Sequence, residues 1–266
     1  MRTLTRDCRV TIVAASISLA SVTQALDQLF LDPGVPDYPD AYNGLQLENR
    51  GTVTKIAAAV DLSLATARAA AAAEADFLLV HHGLFWGGTR PWVGRTYRRL
   101  DVLVRSGIAV YAAHLPLDAH PTIGNNALFL AELGVVPEGR FGRYRDHDIG
   151  WWGTAGITRE ELTARVRRVV NGEVFVMPFG PEVVQRVGVV TGGAGSMIAD
   201  AQAAGLDAFV TGEGPHHTYF DAQELGITAI YAGHYATETL GIKATADLIA
   251  SRFGLPWVYI DFPTGL

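Results

Sequence analysis

The chain has 266 residues, 49% of them hydrophobic, and a formal net charge of -6. That length and apolar content support a large core and exclude a disordered chain, and the acidic balance argues against nonspecific nucleic-acid binding, which needs Lys and Arg to neutralise phosphates. With Cys8 as the single cysteine, no disulfide framework or thiolate metal site can form within the chain, which suits a reducing, cytoplasmic setting.

Arg2, Arg6 and Arg9 flank an apolar run from Val10 that superficially resembles a signal peptide. Ile17, Leu19, Val22, Ala25, Leu26 and Leu29 instead recur at helical spacing and predict an amphipathic helix over 18–30, leaving 1–17 as a leader or frayed N-terminus. No apolar stretch elsewhere is long enough to span a membrane. Residues 31–52 are rich in Pro and Gly and read as loop, with Asn43-Gly44-Leu45-Gln46 inside them.

Lys55–Val60 reads as a strand ending at Asp61, Leu64–Glu74 as an alanine-rich helix, and Ala75–Val80 as a second strand that runs into His81-His82. This βαβ order predicts a parallel sheet. A Gly/Trp loop and a basic helix lead to a strand at 108–113, then to His114-Leu-Pro-Leu-Asp118. A helix over 127–133 stops at Gly134. Residues 135–155 carry no clear periodicity, Thr158-Arg-Glu-Glu161 opens a helix as a capping box, and 173–177 reads as a strand.

The pattern then recurs. Residues 186–214 match 55–83 element for element, with Gly192-Gly-Ala-Gly195 after the first strand and Gly212-Glu213 where the first copy has His81-His82. Val110-Tyr-Ala-Ala-His114 through Asp118 aligns with Ile230-Tyr-Ala-Gly-His234 through Glu238. The expectation is an α/β fold of two similar lobes from an internal duplication, 18–135 and 186–266, joined by a connecting segment at 136–185. Each lobe would have a mostly parallel sheet with flanking helices, and a site would lie in the cleft between them, at the carboxyl ends of the strands.

Two histidines ending one strand have no obvious joint use in a core, because successive strand side chains point to opposite faces. His81, His82, Asp118, His234 and Glu238 form an imidazole and carboxylate set suited to Zn, Fe, Mn, Ni or Co. His234 and Glu238, at i and i+4, share a face if Gly233 leads into a helix. Five ligands exceed one open site but suit two divalent metal ions bridged by Glu238, roughly 3.5–4 Å apart and acidifying a shared water. Such a pair stays cationic and favours a small anionic or nucleotide substrate. His114 is either a further ligand or a support that orients Asp118. Glu213 and His217 are candidates for proton transfer or substrate contact; the bland reading is hydrogen bonding at a helix start. Trp86, Trp92, Trp151 and Trp152 can stack a base or simply pack, and Gly192–Gly195 can cradle a phosphate or serve close packing.

Asn43-Gly-Leu-Gln46, the strand into His81-His82-Gly83, Ala113-His-Leu-Pro-Leu-Asp118, Gly192-Gly-Ala-Gly195, Thr211-Gly-Glu213 with His217, and Gly233-His-Tyr-Ala-Thr-Glu238 together resemble the Ngg-interacting-factor-three-like family, known also as GTP cyclohydrolase 1 type 2 homologues. The resemblance covers roughly 18–266. It implies a two-lobed α/β fold, a dinuclear metal site held by the same five residues, and a toroidal homo-hexamer. The chain departs from the family pattern at Leu115-Pro116, at Glu213 where an Asp is common, and at Gly83 where a Pro is common. A GTP-opening hydrolase is the activity the resemblance names, with a non-catalytic adaptor or regulatory protein as the alternative.

Overall fold

A computed structural model describes residues 16–86 and 88–266. Of the expected leader, residues 1–15 lie outside the described residues. Ile17 already belongs to β1 (Ile17–Ser18), which pairs antiparallel with β3 (Thr52–Val53). Ser18 caps α1 (Leu19–Phe30), its hydroxyl accepting the Ser21 N–H, and Leu19, Val22, Ala25, Leu26 and Phe30 form the buried face. The stretch 31–52, expected as loop, contains β2 (Gly44–Leu47). Its short length and neighbouring Pro and Gly hide it from periodicity; it pairs as an antiparallel edge strand.

The first sheet has the order β13-β4-β5-β6-β2. β4 (Ile56–Asp61), β5 (Phe77–His82) and β6 (Ala109–Ala112) are parallel, and β13 (Trp257–Tyr259) joins β4 in parallel. Between them run α2 (Leu64–Ala72), started by reciprocal Ser63–Thr66 bonds, and α3 (Gly94–Ser106). The strands read as unbroken apolar runs because both faces are covered. Ile56, Ala58, Val60, Phe77 and Leu79 pack on α1 and on the helix α10 (Thr239–Phe253); Ala57, Ala59, Leu78 and Val80 pack with Ala67, Ala70 and Leu103 of α2 and α3.

After α4 (Leu115–Asp118) and α5 (Asn125–Glu132), residues 136–185 form far more than a connection. They supply the hairpin β7 (Gly139–Tyr144) and β8 (His147–Thr158), then α6 (Arg159–Val170) and β9 (Phe175–Pro178). All three strands enter the second sheet, β7-β8-β10-β11-β12-β9. Its centre is parallel: β10 (Val183–Val189), β11 (Ala208–Thr211) and β12 (Thr228–Tyr231). A 3-10 turn at Gly195–Met197 leads to α7 (Ile198–Ala203); α8 (Thr218–Leu225) and the single turn α9 (His234–Thr237) follow.

The two sheets share a core plan: three parallel strands plus an antiparallel strand beside the third. Asp76 accepts the backbone N–H groups of Thr54 and Lys55, and Asp207 accepts those of Gln185 and Arg186. The expected boundaries at 135 and 186 do not coincide with the sheets. Helix α5 covers the second sheet, through Phe129 and Leu130, whereas α10 and β13 return to the first. The two helices meet at Gly241, whose N–H donates to Asn125 Oδ1 at 2.7 Å and where a Cβ would lie 2.8 Å from that oxygen. No helix among the described residues is long and apolar enough to cross a membrane.

Candidate metal centre

The strand ends carry the polar residues. In the first sheet β4 ends at Asp61, β5 at His81-His82, and β6 leads into His114; in the second, β10 leads to Thr191-Gly192, β11 to Gly212-Glu213 and β12 to Gly233-His234. These ends flank a cavity of about 460 Å³ lined by residues that follow strands of both sheets, among them His114, Asp118, Thr191, His234 and Glu238.

The four imidazoles share one orientation. His81 Nδ1 donates to the Ala113 carbonyl at 2.8 Å, His82 Nδ1 to Asp61 Oδ1 at 2.9 Å, His114 Nδ1 to Asp37 Oδ1 at 2.8 Å, and His234 Nδ1 to Glu213 Oε1 at 2.7 Å. A carbonyl or carboxylate partner holds a proton on Nδ1, so in the neutral ring Nε2 is a bare lone pair. His81 and His82 reach opposite neighbours, β6 and β4, and this is how adjacent residues at a strand end serve one site. Their ring centroids are 4.8 Å apart.

Between the rings stand two buried carboxylates. Asp118 Oδ1 accepts from Asn125 Nδ2 at 2.8 Å and from Thr191 Oγ1 at 3.3 Å, which frees Oδ2 to lie 3.5 Å from His81 Nε2. Glu238 Oε1 is 3.5 Å from His81 Nε2 and 3.2 Å from His234 Nε2, while Oε2 is 3.8 Å from His82 Nε2. Gly192 makes room for this side chain. Its φ is +70°, and a Cβ there would sit 2.2 Å from Glu238 Oε1.

Electrostatics follow from that contact list. Burial opposes the charged form of His81, yet Asp118 and Glu238 outweigh it and hold the imidazole well above its ordinary value. Burial likewise opposes protonation of His234, but Glu238 and Glu213 push it up to about 9. Glu238 is buried, which favours the neutral acid; His81 and His82 reverse this and hold it well below the usual carboxylate range. His114 moves the other way: burial lowers it, against the Asp37 bond. The carboxylates thus call for positive charge among the Nε2 atoms.

His81 Nε2, His82 Nε2 and Glu238 Oε2 are all buried with no hydrogen-bond partner among the described residues. Each such atom costs about 1–3 kcal/mol of lost hydration. Two imidazole nitrogens and a carboxylate oxygen left unpartnered together, with Asp118 beside them, fit a cation. Donor atoms within 4.8 Å of one another form the groups His81–Asp118–Glu238, His82–His234–Glu238 and His81–His82–His114. The first two share Glu238 and together comprise the five residues singled out in the sequence, and the third adds His114.

The other candidates separate. Among the described residues Glu213 touches the cluster only through His234. His217 caps α8, is exposed, and has Asp221 at 4.0 Å; it is not among the residues lining the cavity. Trp86 stands over the site, 4.3 Å from His114 and 4.7 Å from His82 between ring centroids. Trp151 and Trp152 instead lie under Arg140 and Arg186 on β8. The Gly192–Gly195 turn serves close packing: a Cβ on Gly195 would meet Gly214 Cα at 2.4 Å. Asn43 and Gln46 act as braces, Asn43 Oδ1 accepting the His114 N–H and Gln46 Oε1 the Leu84 N–H. Sequence reading did not assign Asp37, Asn125 and Thr191. Asp61 had one signal, an acid ending a strand beside the His pair; Asp37 sits in a loop 77 residues from His114 and had none.

The profile of the family described as Duf34/NIF3 (NGG1p interacting factor 3) matches residues 19–264. A Deinococcus radiodurans protein named GTP cyclohydrolase 1 type 2 homolog is 43% identical over 233 residues, 86% of this chain and 88% of its own length. An Archaeoglobus fulgidus protein of the same name is 39% identical, over 94% of this chain and its whole length. The solved structure of the protein ybgI, described as of unknown function, superposes with a TM-score of 0.87 at 36% identity, covering 94% of this chain and all of that one. The structure of TTHA1606 from Thermus thermophilus gives 0.84 at 39% identity, with the same coverage.

Proposed function

The chain belongs to the Duf34/NIF3 family, and we propose that it is a dinuclear-metal-dependent hydrolase acting on a nucleotide or related small anionic substrate. The observation that carries this reading is the set of inward-facing Nε2 atoms around Glu238 and Asp118, with three buried atoms unpartnered. His81, Asp118 and Glu238 would hold one divalent ion and His82, His234 and Glu238 the other. Ions bound there would supply Lewis acidity and an acidified water. The two carboxylates offset only half the charge of two divalent ions, so the wall stays cationic and favours an anion.

This chain's own residues do the positioning. Asp61, Glu213 and the Ala113 carbonyl fix the ring orientations, Asn125 and Thr191 fix Asp118, and Gly192 fixes Glu238. His114, with Nδ1 engaged by Asp37 and burial keeping the ring neutral, offers Nε2 as a proton acceptor on the cavity wall. Glu213 acts through His234, not on substrate. The names of the relatives make GTP ring opening the first reaction to test.

The second reading is a metal-binding adaptor or regulator. Among the described cavity-lining residues outside the five ligands, only Tyr38, Asp40 and His114 can titrate, a sparse wall for an acid–base enzyme. The proposal includes the homo-hexamer, for which light scattering should return six chain masses, and a cytoplasmic location, which fractionation would check. Elemental analysis should find two metals per chain; zero or one would sink the dinuclear reading. A nucleotide and phosphoester screen should find turnover that His82→Ala abolishes while the protein stays folded. Bound metal with no substrate consumed would favour the adaptor.

A further inference from the structure

A second, smaller cavity shares Trp86 with the main one. It measures about 80 Å³, and its wall includes Trp86, Thr89, Trp92, Arg95 and Arg99. Trp86 lines both cavities, so the pocket adjoins the main cavity at this indole. In the same measure the main cavity is about 460 Å³. The smaller pocket has room for a compact oxyanion.

The charges here have no evident structural use. Arg95 and Arg99 are at i and i+4 on α3, which puts two like charges on one helix face. Arg95 also lies in the first turn, where the helix dipole disfavours cations, and no acidic residue occupies that turn. Among the described residues neither arginine has a carboxylate within ion-pair distance. Arg99 Nε is buried without a hydrogen-bond partner. Burial, with Arg95 beside it, disfavours the charged guanidinium, so the local structure is less comfortable without an anion. Asp40, an acid beside Gly88, lines the main cavity and makes no ion pair with either arginine among the described residues. Trp92 is 56% exposed at the rim, placed to flank whatever enters.

We infer that Arg95 and Arg99 form a phosphate subsite, which takes the phosphoryl group of a substrate whose reacting part occupies the main cavity beside Trp86. The inference rests on the hydrolase reading for the second half of that statement only; the anion site stands on the arginines themselves. It narrows the substrate to phosphate esters and adds two residues that select for them. Guanidinium groups recognise such oxygens through paired N–H donors.

The test measures binding of inorganic phosphate to the full chain after metal removal with a chelator, by calorimetry at low and high salt. Without metal the imidazolium charges of His81 and His234 are matched by Asp118 and Glu238, so the donor cluster offers phosphate no net positive charge, and the arginine variants assign whatever binding is seen. Binding should be detected, weaken with salt, and fall about tenfold or more in Arg99→Gln, the loss expected for one charge-assisted hydrogen bond. Arg95→Gln, on an exposed position, should lose affinity in the same direction and covers the case in which Arg99→Gln fails to fold. Equal binding in wild type and both variants, or none in wild type, overturns the subsite. A phosphate monoester on the metal-loaded protein separates the sources. It should bind at least as well as inorganic phosphate and lose affinity in Arg95→Gln. Phosphate bound with monoesters excluded would mean a closed site for the free ion and would overturn the substrate assignment. If the arginine effects hold but no metal is bound, the hydrolase reading fails and the anion site survives.

Discussion

Asp61→Ala isolates the support of a single metal-facing ring. Asp61 Oδ1 accepts from His82 Nδ1 at 2.9 Å, and this bond keeps Nε2 bare and aimed at Glu238. Losing such a partner typically lowers metal affinity 10–100-fold. The Asp61 side chain is 41% exposed, so water can replace it, and the expected loss is at the lower end, about tenfold or ~1.4 kcal/mol. The fold should hardly notice, because exposed ion pairs contribute about 0–1 kcal/mol. Zinc titration against a chromogenic chelator, beside thermal melts of the metal-free protein, reads both quantities. Asp37 is the contrasting case. It is 7% exposed and accepts from His114, Asn43, Tyr38 and Leu115, so Asp37→Ala strands several donors and should destabilise by about 3–5 kcal/mol. Unchanged zinc affinity in Asp61→Ala would refute the claim that these acids set the tautomer; a large loss of metal-free stability would show that Asp61 is a structural residue instead.

Three further outcomes are expected. Gly192→Ala forces a side chain into φ +70° and against Glu238, so it should cost at least about 1–2 kcal/mol and release metal, read by melts and elemental analysis. His81 and His234 bind protons more tightly folded than unfolded. Their contribution to metal-free stability is therefore complete below pH ~6.5 and lost as pH rises through about 9 for His234. Metal displaces those protons, so the gap in melting temperature between loaded and metal-free protein should widen from pH 6.5 to 9; a constant gap would contradict this. His217→Ala, on an exposed cap far from any cavity-lining role, should change stability by less than about 0.5 kcal/mol and leave metal content untouched; loss of metal or activity would restore it to the site.

Much of the candidate site was legible because its signals are local. A strand that ends in two histidines, and a His and Glu one helical turn apart, declare themselves within a few residues. The parallel strands were legible too, since burial on both faces gives unbroken apolar runs such as Ile56–Val60. Residues 136–185 were not. β8 is a 12-residue strand with mixed burial, and its Gly and Trp pattern makes sense only beside β7 and β10. Gly153, for example, is required because the Val136 carbonyl would lie 2.2 Å from its Cβ.

By itself, then, the chain determined which residues carry donor chemistry and which strand ends present them, because side-chain type and short-range periodicity are written residue by residue. Tertiary structure alone decided which nitrogen of each ring faces inward, since the partners Asp61, Asp37 and Glu213 lie 21, 77 and 21 residues from the rings they hold. It also brought Glu213 to His234 and left His217 outside, although both follow the same strand. Tertiary packing placed α10 and β13 back on the first sheet. Those choices depend on backbone groups and buried faces meeting across the fold, and no local pattern encodes such meetings.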